Sequence, residues 1–236
     1  MSLFPINSGP GAQTIRRATP RRIFEGNSGF ATLPGGVYVN GTKSRDSGNT
    51  SNIDVLRCGL PMGIITATGL YAPSIIGAIT EAVSSGGTSV TVSAAQATEL
   101  VRRVGSTGTI RFVGPPSAAG TVATFTETYS AVNTTTGVIT CSSLNADLIA
   151  GSFVCDNDGS YLPLSFIPDG FGLKVTDQDG NSISSVQWSN PPISGTLLAE
   201  NLIHWPSDTS LQAWMIASLN GAAGGQFVFP DYRYRV

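Results

Sequence analysis

The chain has 236 residues, of which 13 are lysine or arginine and 15 are aspartate or glutamate, so its formal net charge is −2. Only 12% of the residues are charged and 41% are hydrophobic, with 28 glycines and 14 prolines. This composition excludes a wholly disordered chain and a helical bundle, and the charge gives the chain as a whole no attraction to a polyanion. The length is sufficient to bury a substantial core.

Residues 1–55 show neither the two-residue period of a strand nor the 3.6-residue period of a helix. Small and polar residues alternate there with isolated apolar ones, and six basic side chains against three acidic ones give the segment a net charge of +3. We therefore predict an extended N-terminal arm over residues 1–55. The remaining 181 residues carry a net charge of −5, so the charge is divided by region.

Short β-rich stretches separated by Gly and Pro begin at Val55 and continue through Pro73. This texture is typical of the strands of a small barrel or sandwich. It stops near Ile76 and resumes near Ser160, which predicts a discontinuous β domain over residues 56–79 and 159–236.

Residues 80–158 have a different pattern. Alternation over 88–93 predicts a strand, after which Ser93 and Gln96 can form a capping box and Gly105 can end one short helix. Further alternating stretches, joined by a hairpin connection at Asn133–Gly137, predict more strands. We predict an inserted β-rich domain over residues 80–158.

In the C-terminal part we predict a second helix over Asp208–Asn220, capped by Ser207 and ended by Gly221. Strands are expected before it and after it, at 162–167, 172–176, 186–188, 195–199 and 226–229.

The chain offers few residues for catalysis. The chain has a single histidine, His204, and no Gly-x-Ser-x-Gly motif that could present a serine nucleophile to it. We therefore interpret His204 as a turn residue before a helix. The three cysteines, Cys58, Cys141 and Cys155, have no metal or redox spacing and are interpreted as buried hydrophobic residues. We predict no catalytic, cofactor-binding or metal site, and a protein that is not an enzyme.

Two acidic segments, Asp156–Gly159 and Asp177–Gly180, resemble fragments of calcium loops. Neither continues to the distal glutamate of an EF-hand. A turn with a left-handed glycine explains each of them without an ion.

The basic pairs in the arm could bind nucleic acid or an acidic protein surface. Four charges without interleaved aromatic residues give weak, salt-sensitive nucleic-acid binding, so the protein partner is preferred. Apolar residues of the arm would then fill pockets on that partner. The predicted partner-binding residues are Phe4, Ile6, Ile15, Arg16, Arg17, Arg21, Arg22, Ile23 and Phe24.

The segment Leu56–Pro73, with its L-x-x-G-x-x-x-G stretch leading to T-x-x-G-x-Y-x-P, resembles the opening of head decoration proteins of tailed bacteriophages. The segment Gly195–Pro206, followed by a helix and a final strand, resembles the closing part of that family. The two blocks cover about 95 residues. A small decoration protein would lack the predicted insertion and an arm of this length.

The resemblance implies a mainly β decoration domain in a capsid cement protein: a homotrimer bound to the major capsid protein on the outer surface of the virion, made in the cytoplasm of a bacterial host. No membrane partner is expected, since no run approaches the roughly 18 apolar residues of a spanning helix, and no nucleic-acid partner is expected because four charges alone would bind it weakly. A carbohydrate-binding adhesin is the alternative, with Tyr161, Trp188 and Trp205 as its candidate aromatic residues. A polysaccharide-degrading enzyme would need a carboxylate pair in a cleft.

Overall fold

The computed structural model of the chain describes residues 23–24, 30–116, 122–168, 170, 172–221 and 226–229. Within these ranges the fold is mainly β, which confirms the predicted fold class at that level. The strands are β1 (Ala31–Thr32), β2 (Val37–Val39), β3 (Val55–Leu56), β4 (Pro61–Ile64), β5 (Tyr71–Pro73), β6 (Gly77–Ala78), β7 (Ser89–Thr91), β8 (Gly108–Pro116), β9 (Val122–Asn133), β10 (Val138–Cys141), β11 (Phe153–Asp156), β12 (Ser165–Phe166), β13 (Leu173–Lys174), β14 (Val186–Trp188), β15 (Pro192–Thr196) and β16 (Gln226–Val228). The α-helices are α1 (Ala94–Arg103) and α2 (Thr209–Gly221).

A five-stranded sheet in the order β12-β4-β5-β2-β14 joins distant parts of the chain. Its strand β2 comes from the predicted arm, pairs with β14 and β5, and buries Val39 completely. Val39 therefore belongs to the core, which differs from the prediction of an extended arm through residue 55. A strand of three residues is too short to show a period, and its burial depends on partners far away in the sequence.

A six-stranded sheet in the order β6-β11-β8-β9-β10-β7 is built mainly from residues 80–158. Successive side chains of β11 point to opposite faces: Val154 joins the cluster around α1, whereas Phe153 and Cys155 join the cluster that contains α2. The sheet is thus buried on both faces at this strand. Residues 80–158 form a continuous block, but one face of their sheet completes the core of the rest of the protein.

Helix α1 begins and ends as its local sequence predicts. The Ser93 side chain accepts a hydrogen bond from the Gln96 backbone, and the Gln96 side chain accepts one from the Ser93 backbone, which forms the predicted capping box. Val104 is the C-cap, and Gly105 follows with φ of +123°. The helix buries Ala97 and Leu100.

Helix α2 packs beside a three-stranded sheet, β1-β15-β16, in which β15 and β16 are parallel. Its side chains Leu211, Met215 and Leu219 are buried, as the spacing predicts. The N-terminal cap is Asp208 and not Ser207, because the Asp208 carboxylate accepts hydrogen bonds from the first-turn backbone.

Ile23 and Phe24 were predicted to contact a partner, and the structure places both in the chain's own core. Ile23 is 0% and Phe24 is 6% exposed. The Phe24 ring contacts Phe166, with ring centroids 5.6 Å apart, and lies against Gly195, where a Cβ would stand only 2.5 Å from the ring. These two side chains are therefore not available to another chain in the folded protein.

All three cysteines are buried and form no disulfide within the described ranges, which confirms their interpretation as small core residues. Burial raises the pKa of Cys155 to about 12 and the pKa of Cys141 to about 11. Their thiols therefore stay protonated at neutral pH, and a protonated thiol is a poor nucleophile and metal ligand.

The burial of Phe24 gives a first prediction. We expect Phe24→Ala to lower the free energy of unfolding by about 3–5 kcal/mol, because it leaves a cavity between Phe166 and Gly195. Tyr38→Ala is the control, since Tyr38 is 53% exposed and its removal should change stability by about 0.5 kcal/mol or less. Equilibrium denaturation in urea measures both. Equal small losses would contradict the placement of Phe24 in the core.

Candidate functional site

Segments 56–73 and 195–206 meet at Gly59. The Gly59 carbonyl accepts a hydrogen bond from the Ile203 backbone at 2.8 Å, and its N–H donates to the Ile167 carbonyl at 2.8 Å. Gly59 has φ of +85°, and a Cβ there would stand 2.7 Å from the Asn201 carbonyl oxygen. Only glycine fits this close approach of two backbone segments. Segments 56–73 and 195–206 therefore form one structural unit.

Of the nine predicted partner-binding residues, only Ile23 and Phe24 lie in the described part of the chain. Phe4, Ile6, Ile15, Arg16, Arg17, Arg21 and Arg22 lie outside the described residues. For those seven residues, partner binding stays a prediction.

A buried ion-pair cluster joins α1 to the turn after β11. Arg103, whose side chain is 1% exposed, donates from Nε to Asp156 Oδ2 at 3.0 Å and from Nη1 to the Pro73 carbonyl at 2.6 Å. Its Nη2 donates to Ser160 Oγ at 2.7 Å. Lys43 Nζ lies 3.1 Å from Asp156 and 2.9 Å from Asp158. Two cations thus neutralise two carboxylates from the same turn.

The carboxylate of Asp158 is held in its charged form. Burial alone would raise its pKa, but the Arg103 charge and the hydrogen bonds from Ser160 and Lys43 outweigh burial and lower the pKa to about 2. Burial also opposes the charge of Lys43, yet hydrogen bonds and charges from the two aspartates raise its pKa. Asp158 and Lys43 are therefore both charged at neutral pH.

This cluster occupies the first of the two possible calcium loops, where Gly159 has φ of +98° as the turn interpretation requires. In the second, the Asp177 carboxylate accepts hydrogen bonds from the backbones of Asp179 and Asn181, and Gly180 has φ of +86°. Both are turns with a left-handed glycine. Across the described residues, no group of three or more His, Cys, Asp or Glu side chains is arranged to hold a metal ion.

The described ranges contain fewer basic than acidic side chains, and the basic ones have partners within the chain. All seven basic side chains there contact partners within the chain: Lys43, Arg45, Arg57, Arg102 and Arg103 pair with carboxylates, Arg111 donates to Asn157 and lies over the Tyr161 ring, and Lys174 donates to the Asp177 carbonyl. Twelve acidic side chains stand against these seven, so the described part carries a net charge of −5. Its surface is therefore acidic overall.

The three aromatic residues considered for glycan binding do not form an exposed cluster. Trp188 is 2% exposed and packs edge-on against Tyr71. Trp205 stacks on Phe229 with ring centroids 5.7 Å apart, and the Arg111 guanidinium covers the Tyr161 ring at 4.4 Å. Such packing leaves no shared aromatic platform for a sugar ring.

His204 lies in a turn before α2, as expected, with a left-handed φ of +61°. It borders a cavity of about 10 Å³, which holds about one water molecule and is far too small for an organic ligand. The charged side chains that also line this cavity are Arg45, Asp46, Glu99 and Arg103. Burial lowers the pKa of His204 to about 4. The Asp46 charge partly offsets this effect, and the Arg57 charge adds to it. The imidazole is therefore neutral at pH 7.

No family model matches the sequence, and no curated protein and no solved structure match the chain. Among the helices of the described ranges, none combines the length and the apolar character needed to span a bilayer.

The ion-pair cluster gives a second prediction. We expect Arg103→Met to cost about 3 kcal/mol of unfolding free energy, because it leaves Asp156 short of a partner in a buried site. Arg103→Lys should cost less, since it keeps the charge but loses the fork of donors. Lys174→Met is the control, because its exposed side chain should contribute about 0.5 kcal/mol or less. Denaturation curves at pH 7 measure the three losses. Equal losses of unfolding free energy for Lys174→Met and Arg103→Met would contradict this account.

A third prediction concerns pH. The pKa of His204 is about 4 in the folded state, whereas the ordinary histidine value of about 6.5 applies in the unfolded chain, so the unfolded state binds the proton more tightly. Stability should fall as the pH drops from about 6.5 towards 4, by up to about 1.4 kcal/mol per pH unit. His204→Asn should remove this slope, because asparagine tolerates the left-handed backbone but does not titrate. Carboxylates, among them Glu99 with its raised pKa, titrate in the same window in both proteins, so the difference between the two slopes gives the contribution of His204, the only histidine of the chain. Identical slopes for the two proteins would contradict it.

Proposed function

We propose that this chain is a structural virion protein that binds the outer surface of an assembled bacteriophage capsid and stabilises it. It acts as a homotrimer at junctions between capsomers, with the major capsid protein as its partner, after synthesis in the cytoplasm of the bacterial host. It is not an enzyme.

The observation that carries this proposal is the junction at Gly59. The two segments that resemble decoration proteins are separated by more than a hundred residues, and yet they hydrogen-bond to each other around one glycine. The resemblance therefore corresponds to one structural unit and not to two unrelated strand patterns. The block at 80–158, which a small decoration protein would lack, extends from this unit as a six-stranded sheet.

The distribution of charge supports a role for the N-terminal segment in attachment. The basic side chains of the described ranges already have partners within the chain. Arg16, Arg17, Arg21 and Arg22 lie outside those ranges and are the main reserve of positive charge for an acidic shell surface. The alternative, a carbohydrate-binding adhesin, would need an exposed cluster of aromatic side chains. Trp188, Trp205 and Tyr161 pack against other residues and do not form one.

The fourth prediction tests this function. Shells of the phage that encodes the protein, prepared without it, should disrupt at a higher temperature once coated. A ligand that binds the assembled shell and not the dissociated subunits stabilises it by RT ln(1 + [L]/Kd), about 2.7 kcal/mol per site at about 100 times Kd. Light scattering during heating measures the disruption temperature.

A variant with all four arginines changed to glutamine should bind shells more weakly at low salt, and the difference should shrink as the salt concentration rises. Lys174→Gln is the matched control, since this exposed lysine lies outside the arm. Coated and bare shells that disrupt at one temperature would refute the proposal. Specific binding of a glycan array by the isolated chain would favour the adhesin.

A further inference from the structure

A polar cavity lies where distant parts of the chain meet around His204. It has a volume of about 10 Å³. Residues 45–47 line one part of it, Glu99 and Arg103 of α1 line another, and His204 belongs to the turn before α2. Because Glu99 and Arg103 are four residues apart, both project from one face of the helix. The remaining lining side chains come from residues 60–76 and carry no charge.

The imidazole of His204 is fixed in position but has hydrogen-bonding capacity to spare. The backbone of His204 has φ of +61°, a conformation that a residue with a side chain keeps only where its surroundings impose it. Within the described ranges, neither ring nitrogen makes a hydrogen bond with another protein group. A neutral imidazole has one donor and one acceptor nitrogen, so the ring can bond to a small molecule in the cavity.

The charged groups around the ring also have unused donors and acceptors. Each carboxylate oxygen of Glu99 accepts one hydrogen bond from Arg102, at 2.5 and 2.7 Å, and has a second lone pair. Nη1 and Nη2 of Arg103 each donate one hydrogen bond within the chain, and each carries a second hydrogen. The same holds for Nη2 of Arg45. The cavity is therefore lined by both donors and acceptors.

We propose that this cavity binds one water molecule, which joins residues 45–47 to α1 and to His204, and that protonation of His204 breaks the junction and releases residues 41–54. A cavity of about 10 Å³ fits about one water molecule, which needs two to four polar partners. This water can accept hydrogen bonds from Arg45 and Arg103 and donate to Glu99 and His204. The inference does not depend on the proposed function.

Protonation of the ring removes the match between the water and its partners. A charged imidazole donates from both nitrogens, and a water that already accepts from two arginines has no lone pair left for it. The charged groups that face the ring are Arg45, Asp46, Glu99 and Arg103 in the cavity, with Arg57 beyond them. The two carboxylates already pair with arginines, at 2.6 Å for Asp46 and 2.5 Å for Glu99, so neither is a spare counter-ion.

Residues 41–54 are the part of this junction that polar contacts hold in place. No helix or strand lies between Gly41 and Asp54, and the buried side chains of this segment are all polar: Ser44, Arg45 and Asp46. Lys43 connects the segment to Asp156 and Asp158. A segment with little apolar burial opens at a lower free energy than the core does, so it is the first to separate.

The fifth prediction tests this release by hydrogen exchange with mass spectrometry on the full-length protein. With a pKa of about 4 in the folded state and about 6.5 after release, His204 should raise the opening equilibrium of residues 41–54 about 30-fold between pH 7.5 and pH 5. His204→Asn is the matched control, since asparagine tolerates the left-handed backbone and does not titrate. It should lose most of this rise once exchange is corrected for its intrinsic rate at each pH.

The β8–β9 hairpin reports unfolding of the whole molecule in the same experiment. We expect residues 41–54 to open more readily than this hairpin at pH 5. Equal opening constants for the two would mean that the molecule unfolds as one unit, and this result would overturn the proposal. An equal rise in the unmodified protein and in His204→Asn would also overturn it.

Two measurements on the unmodified protein need no variant. A crystal structure at pH 7.5 and atomic resolution should show one water within about 3.2 Å of a His204 ring nitrogen and of Glu99. A cavity without that density would refute the water site. The chain has one histidine, so NMR follows its titration directly. A midpoint near the ordinary value of about 6.5 would refute the acid-sensitive junction.

Discussion

The guanidinium of Arg103 is the interaction on which the arrangement of the described chain most depends. It connects helix α1 to the Asp156 carboxylate at the end of β11, to the Pro73 carbonyl at the end of β5 and to Ser160. These groups belong to both large sheets. A buried arginine is stable only when each donor has a partner, so the three contacts constrain one another. They connect the six-stranded sheet to the five-stranded sheet.

Lys43 extends the same cluster into a segment that has no sequence period. Its pairing with Asp156 and Asp158 ties this segment to the folded body, and the ion pair between Arg57 and Asp46 holds the two ends of residues 46–57 together. Apolar burial alone does not explain why this glycine-rich and polar segment is ordered. Ion pairs and turn hydrogen bonds replace the hydrophobic stripe that a regular strand or helix would use.

The pairing of basic side chains within the chain determines the charge of its surface. Because the cations of the described ranges are occupied by internal partners, the surface they leave is acidic, and the four arginines near the N-terminus are the largest group of basic side chains outside those ranges. The fold and the arm therefore have complementary charges. That division of charge supports the proposed attachment of the chain to an acidic shell surface.

Features that depend on neighbours in the sequence could be predicted from it. The capping box of Ser93 and Gln96 joins residues three apart, and the buried side of α2 follows from the spacing of Leu211 and Leu219. The left-handed glycines of the Asp-Gly turns are equally local. In each case the residues that interact, or that share a buried face, lie within a few positions of one another in the sequence. Their types and spacing therefore predict the feature.

The tertiary structure alone decided which residues the core would include and which charges would pair. Arg103 and Asp156 are 53 residues apart, and Lys43 and Asp156 are 113 apart, so no spacing rule connects them. Ile23 and Phe24 have the isolated apolar character of anchors for a partner, and they became core residues because Gly59 and Gly195 leave room for them. Long-range burial depends on shape complementarity between segments, and a single sequence contains that information only through the complete fold.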